Sequence, residues 1–93
     1  MSENTRLHAI VHGEVQGVSF RANTQREAVR RHLTGWVRNL WDGSVEVVAE
    51  GSLAALEEFE RYLHRGPAMA EVERVDVTYS EATGEFSSFN IRY

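Results

Sequence analysis

The chain has no cysteine and no lysine. Without cysteine there is no thiol nucleophile, no disulfide and no cysteine-ligated zinc. Without lysine there is no Walker-type phosphate loop and no Schiff-base chemistry. All ten basic residues are arginine, and aspartate is reduced to Asp42 and Asp76. No apolar run approaches the ~18 residues of a membrane span. The opening MSENTR also lacks the apolar core of a secretion signal. These absences predict a cytoplasmic protein with no membrane partner.

What is present fits a folded domain. Ninety-three residues predict one domain over 1–93, with 1–6 a flexible N-terminal extension. A hydrophobic share of 42% and a charged share of 26% are those of a globular chain and exclude disorder. Charge is uneven. Residues 1–45 hold six Arg against three Glu and one Asp, a net of +2, whereas residues 46–93 hold four Arg against nine Glu and one Asp, a net of −6. An acidic chain is a poor non-specific binder of nucleic acid, so no nucleic-acid partner is expected. The basic first half leaves room for a small anion.

Residues 7–12, LHAIVH, alternate and predict a strand with Leu7, Ala9 and Val11 on one face. Residues 22–33 predict a helix with Ala22, Ala28, Val29 and Leu33 near one stripe. GWVRNLW, the turn signal Asp42-Gly43 and SVEVVAE predict a hairpin. Ser52 is a suitable N-cap for a second helix, whose Leu53, Leu56, Phe59 and Leu63 recur at helical spacing before Gly66 and Pro67 stop it. Val75, Val77 and Tyr79 alternate, as do Phe89, Ile91 and Tyr93, so the closing strand reads as one segment split in two. The order is βαββαβ. It predicts an α+β, two-layer ferredoxin-like sandwich with an antiparallel sheet and two helices on one face.

The stretch HGEVQGVSFR, residues 12–21, joins the first strand to the first helix. Gly13 and Gly17 permit backbone angles that other residues resist. A glycine-rich turn at a helix start gathers backbone N–H groups, and the helix dipole adds positive potential there. Arg21 follows, and its planar fork can grip two phosphate oxygens at once. On the loop alone, a tight turn with a surface arginine reads equally well. Asn39, three positions before Asp42, can likewise be a residue that shapes the hairpin. His8 and His12 lack the partners that metal ligation needs, and no metal site is expected. Glu57, Glu58 and Glu60 read as a solvated helix face. Trp36 and Trp41, at odd spacing on one strand, are expected on opposite faces, with Trp36 in the core or a site wall and Trp41 exposed.

GEVQGVSFR followed by TGWVRNLWDGSVEVVAEG closely resembles the acylphosphatase family. Its signatures are a glycine-bounded VQGV-x-[FY]-R loop and a G-W-V-x-N-x-x-[DR]-G-x-V hairpin. The likeness continues through Gly66-Pro67, the A-x-V-x-x-V of Ala70, Val72 and Val75, and the F-x-I at residues 89–91. It implies the ferredoxin-like sandwich and hydrolysis of the carboxyl–phosphate bond of acyl phosphates, releasing inorganic phosphate with no cofactor and no metal. By the same resemblance, backbone amides of Gly13, Glu14, Val15, Gln16, Gly17, Val18, Ser19 and Phe20 bind phosphate. Arg21 becomes the phosphate-binding arginine and Asn39 the residue that positions water.

Two positions depart from the family pattern. His32 stands where a helix-ending glycine is usual, and Trp41 where a small residue or proline is usual. Both put local backbone geometry in question. Two alternatives remain at this point. One is a non-catalytic ferredoxin-like binding module, although SVEVVAEG lacks the aromatic, basic strands of an RNA-binding version. The other is an acylphosphatase-like domain that processes carbamoyl phosphate. The expected state is a monomer.

Overall fold

The alternation at residues 7–12 extends in both directions. In the computed structural model, which describes residues 4–93, it forms β1 (Asn4–Glu14). There follow α1 (Phe20–Arg30), β2 (Thr34–Asn39), β3 (Val45–Ser52), α2 (Leu53–Arg65), β4 (Glu71–Glu81) and β5 (Phe89–Arg92). Residues 1–3 of the expected extension lie outside the described residues. Asn4, Thr5 and Arg6 are not an extension: they pair with Ser52, Gly51 and Glu50 of β3.

One face of the sheet is apolar by period two. Leu7, Ala9 and Val11 of β1, Val37 of β2 and Val45, Val47 and Ala49 of β3 are fully buried. They meet Leu56, Phe59 and Leu63 of α2 and Phe20 and Ala28 of α1 in one core. Each large side chain buried there contributes roughly 1.5–3 kcal/mol. No described helix is long and apolar enough to cross a membrane.

The sheet order is β4-β1-β3-β2-β5. Four strands are antiparallel, but β5 pairs parallel with β2, Val37 opposite Ile91. The sheet is therefore mixed, and the closing segments are not one split strand. They lie on opposite edges. The connection crosses the helix-free face, where Glu50 holds it. Glu50 Oε2 accepts from Arg6 Nε at 2.7 Å and from the Thr83 N–H at 2.9 Å, and Oε1 accepts from the Gly84 N–H at 3.0 Å. Burial would push this carboxyl up, but the donors from Thr83, Arg6 and Gly84 outweigh it and hold it below the usual carboxylate range.

Helix α1 also differs from expectation. Its buried positions are Phe20, Thr24 and Ala28 at four-residue spacing, while Ala22 and Val29 are exposed. The stripe includes a threonine whose hydroxyl lies 3.4 Å from the Tyr62 hydroxyl, so a count of apolar residues misplaces it. The helix ends early, and His32 stands just past it with φ 60°. Its N–H donates to the Val29 carbonyl, and the Leu33 N–H donates to Ala28. That is a Schellman ending with histidine in the left-handed position that glycine favours.

Strand β2 stops at Asn39, so Trp41 belongs to the turn, where it is fully exposed. Trp36 is neither core nor site wall. It lies half-buried on the helix-free face, with the Arg38 and Arg92 guanidinium groups 5.1 and 4.7 Å from its ring centre.

Candidate active site

The β1–α1 connection carries two left-handed residues, Gly17 (φ 77°) and Ser19 (φ 61°). Buried Val15 and Phe20 pin its ends to the core. Between them, the N–H groups of residues 15–19 make no hydrogen bond to the protein among the described residues. The first N–H groups of a helix have no partner within it. Here the first helical bond runs from the Asn23 N–H to the Ser19 carbonyl at 3.0 Å, and the donors of Phe20, Arg21 and Ala22 have no backbone partner among the described residues. Ser19 is the N-cap residue but makes no side-chain cap, and the first turn holds no acidic residue. The local potential is therefore positive and unanswered.

Beside the loop and the first turn of α1 is a cavity of about 340 Å³ lined by Val15, Gly17, Ser19 and Phe20, by Arg21 and Ala22, and by Asn39, Ile91 and Tyr93. The Arg21 guanidinium makes no ion pair among the described residues and lies 4.8 Å from the Tyr93 ring centre. Asn39 closes β2, and its Oδ1 is buried without a hydrogen-bond partner among the described residues. Arg21, which makes no ion pair among the described residues, loop residues with free amides, and Asn39, whose Oδ1 is itself buried, thus share the lining of one cavity. Unpaired buried polar atoms cost stability, and the other such side-chain atom among the described residues is Arg31 Nε, at the far end of α1.

Not every expected loop residue is there. Gly13 and Glu14 belong to β1, opposite Val72 and Glu71 of β4. A side chain at Gly13 would collide with the Glu71 carbonyl, so that glycine (φ 131°) serves the close passage of β4. Gly13, Glu14 and Gln16 line a second concavity with His12, Asp42, Ser44 and Glu73. Among the expected cradle residues, Val15, Gly17, Ser19 and Phe20 share the cavity with Arg21, and Val18 packs against the core.

Gln16 has a role its backbone does not show. Its side-chain amide donates to the Leu40 carbonyl at 2.7 Å and to the Ser44 carbonyl at 2.8 Å. It ties the loop to the hairpin turn that follows Asn39, and so couples the two halves of the site. A polar residue between two valines was the only hint in the sequence. The turn itself is set by Asp42, which accepts from Ser44 Oγ at 2.6 Å and from its N–H at 3.0 Å. Those bonds hold the Asp42 carboxyl below its usual range. His8 pairs with Glu46 and His12 with Asp76 on the helix-free face. No group of three His, Asp or Glu that could hold a metal occurs among the described residues.

The acylphosphatase family model matches residues 7–91. An acylphosphatase of Pelotomaculum thermopropionicum is 46% identical over 88 residues, which are 95% of this chain and 96% of that protein. One from Salinibacter ruber is 49% identical over 94% of this chain and 92% of its own length. Among solved structures, the acylphosphatase from Bacillus subtilis superposes with a TM-score of 0.92 at 40% identity, covering 96% of this chain and 99% of that one. The motifs, the sandwich and the relatives agree along nearly the whole chain, which belongs to the acylphosphatase family of acid-anhydride hydrolases.

Proposed function

We propose that the free amides of residues 15–22 and the Arg21 guanidinium bind the phosphoryl group of an acyl phosphate, and that Asn39 holds the attacking water. The observation that carries this reading is that residues with unpaired donors, Arg21, and Asn39, whose buried Oδ1 has no partner among the described residues, all line a single cavity.

The chemistry asks little more. In an acyl phosphate the leaving group is a carboxylate, stable at neutral pH, so no strong general acid is needed. Water attacks phosphorus, the bond from phosphorus to the acyl oxygen breaks, and its electron pair leaves on the carboxylate. The water proton passes to a phosphoryl oxygen. Preorganised N–H groups and Arg21 stabilise charge on the phosphoryl oxygens as it redistributes. Asn39 is neutral throughout, and its Oδ1 can accept from water while the amide NH₂ donates to phosphate. The donor set is complete without a metal. The acidic overall charge favours a small diffusible substrate over nucleic acid, and we read the protein as a cytoplasmic monomer.

The test is hydrolysis of benzoyl phosphate by purified protein after exhaustive chelation with EDTA. Turnover should be unchanged, and inorganic phosphate should inhibit it competitively. Activity lost on chelation and restored by a divalent ion would overturn the metal-free reading.

A further inference from the structure

We propose that Tyr93, with Ile91, forms the wall against which the acyl group lies, and that this wall selects flat, apolar acyl groups over small ones. The inference rests on the reading of the site above. If the phosphoryl end is committed to the loop amides and Arg21, the acyl group must lie against what remains of the cavity. Val15 and Phe20 line the cavity but are 1% and 2% exposed, so they offer little surface to a ligand. The apolar side chains that remain accessible are those of Ala22, Ile91 and Tyr93.

Topology places this pair. The parallel register sets Val37 opposite Ile91 and Arg38 opposite Arg92, so the residue after β5 arrives beside Asn39. Period two puts Tyr93 on the same side as Ile91. The Tyr93 ring meets the Arg21 guanidinium at 4.8 Å but is otherwise 99% exposed. Beside this contact Arg21 makes no ion pair among the described residues, so its N–H donors stay available to phosphate. The ring therefore stands between the cavity and solvent, with nothing among the described residues covering the rest of it. A planar aromatic acyl group can stack there and remove apolar surface from water, whereas an acetyl group is too small to do so.

The experiment compares kcat/KM for benzoyl phosphate and acetyl phosphate in the wild type, Tyr93→Ala and Tyr93→Phe. The alanine variant should lower the benzoyl-to-acetyl ratio about tenfold. The phenylalanine variant keeps the ring and should keep the ratio. An exposed side chain contributes little to folding, and thermal melts check that both variants are folded. A Tyr93→Ala protein that loses equally on both substrates would show that the ring only holds Arg21, and the wall would be refuted. An unchanged ratio and rate would refute it as well. Wild-type protein that hydrolyses neither compound would remove the reading of the site itself, and this inference with it.

Discussion

Both helices start at a serine, and the two starts are opposites. Ser52 leaves β3 in extended conformation (φ −67°, ψ 149°), and its Oγ accepts from the Ala55 N–H at 3.2 Å. Ser19 leaves the glycine turn in left-handed conformation (φ 61°, ψ 26°) and makes no side-chain cap. The residue type is the same, so the backbone leading into it decides. A missing cap forgoes about 1 kcal/mol of helix stability and leaves the first donors of α1 without a partner among the described residues. Elsewhere the fold satisfies its polar groups closely. Glu50, 3% exposed, accepts four hydrogen bonds from Arg6, Thr83 and Gly84. The two buried side-chain atoms left without a hydrogen-bond partner among the described residues are Asn39 Oδ1, whose residue lines the cavity, and Arg31 Nε at the far end of α1.

The largest effect should follow from removing the unpaired cation at the open start. Arg21→Lys keeps the charge but loses the planar fork. It should lower kcat/KM by roughly 10² or more, about 3 kcal/mol of transition-state stabilisation. Arg21→Ala should lose more. Because Arg21 has no ion pair to lose among the described residues, both variants should melt near the wild type. A folded Arg21→Lys protein with near wild-type kinetics would show that a point charge is enough.

Asn39→Ala comes next. It removes the unpaired Oδ1 and should reduce kcat on the order of 10²-fold, as loss of a preorganised polar group does elsewhere. Competitive inhibition by phosphate should weaken far less than turnover, since only one of its donors is lost while the amides and Arg21 remain. If phosphate binding weakens as much as turnover, Asn39 acts on phosphate and not on water. A melt separates both results from the case in which Asn39 only shapes the hairpin, which predicts lost stability.

At the satisfied pole, Glu50→Gln should cost stability and not chemistry at the cradle. Glutamine has one acceptor oxygen where the carboxylate answers Arg6, Thr83 and Gly84, and the loss should be about 2 kcal/mol. Its pH dependence has a defined sign. The carboxyl lies below its ordinary value near 4.5 when folded. Its contribution is therefore complete above that pH and is lost as pH falls through the depressed value. The stability gap between wild type and variant, measured by urea denaturation, should narrow as the solution is acidified below about pH 4.5. A gap that widens on acidification would contradict the pairing.

The hairpin, the second helix and its Ser52 cap were legible because their signals are local: Asp42-Gly43, a serine before a helical stripe, Gly66-Pro67. Arg21 and Asn39 were legible through the resemblance, and the structure brings them to one cavity. What was not legible depends on distant partners. Phe89–Arg92 alternates, which gives its facing but not its neighbour, and nothing local says that it crosses to pair parallel with β2. Gly13 signals a turn from sequence, yet its cause is the Glu71 carbonyl on another strand. The side-chain bonds of Gln16 span 24 and 28 residues. The buried stripe of α1 includes Thr24, which counting apolar residues passes over.

The smallest effect is also the most direct comparison of the two starts. Ser52→Ala removes a cap bond that exists and should cost about 1 kcal/mol, a fall of roughly 4–8 °C in Tm for a domain of this size. Its kcat/KM should not change, since α2 contributes nothing to the cavity lining. Ser19→Ala removes no cap bond, and alanine meets the same left-handed backbone cost as serine, so its Tm should stay within about 2 °C of wild type. Added phosphate should raise the Tm of both variants by the same amount, because the anion binds free amides at α1 that neither substitution touches. If Ser19→Ala instead costs as much as Ser52→Ala, Ser19 caps α1 in solution. The first helix would then start satisfied, and its amides would have to exchange that cap for phosphate before the substrate could bind.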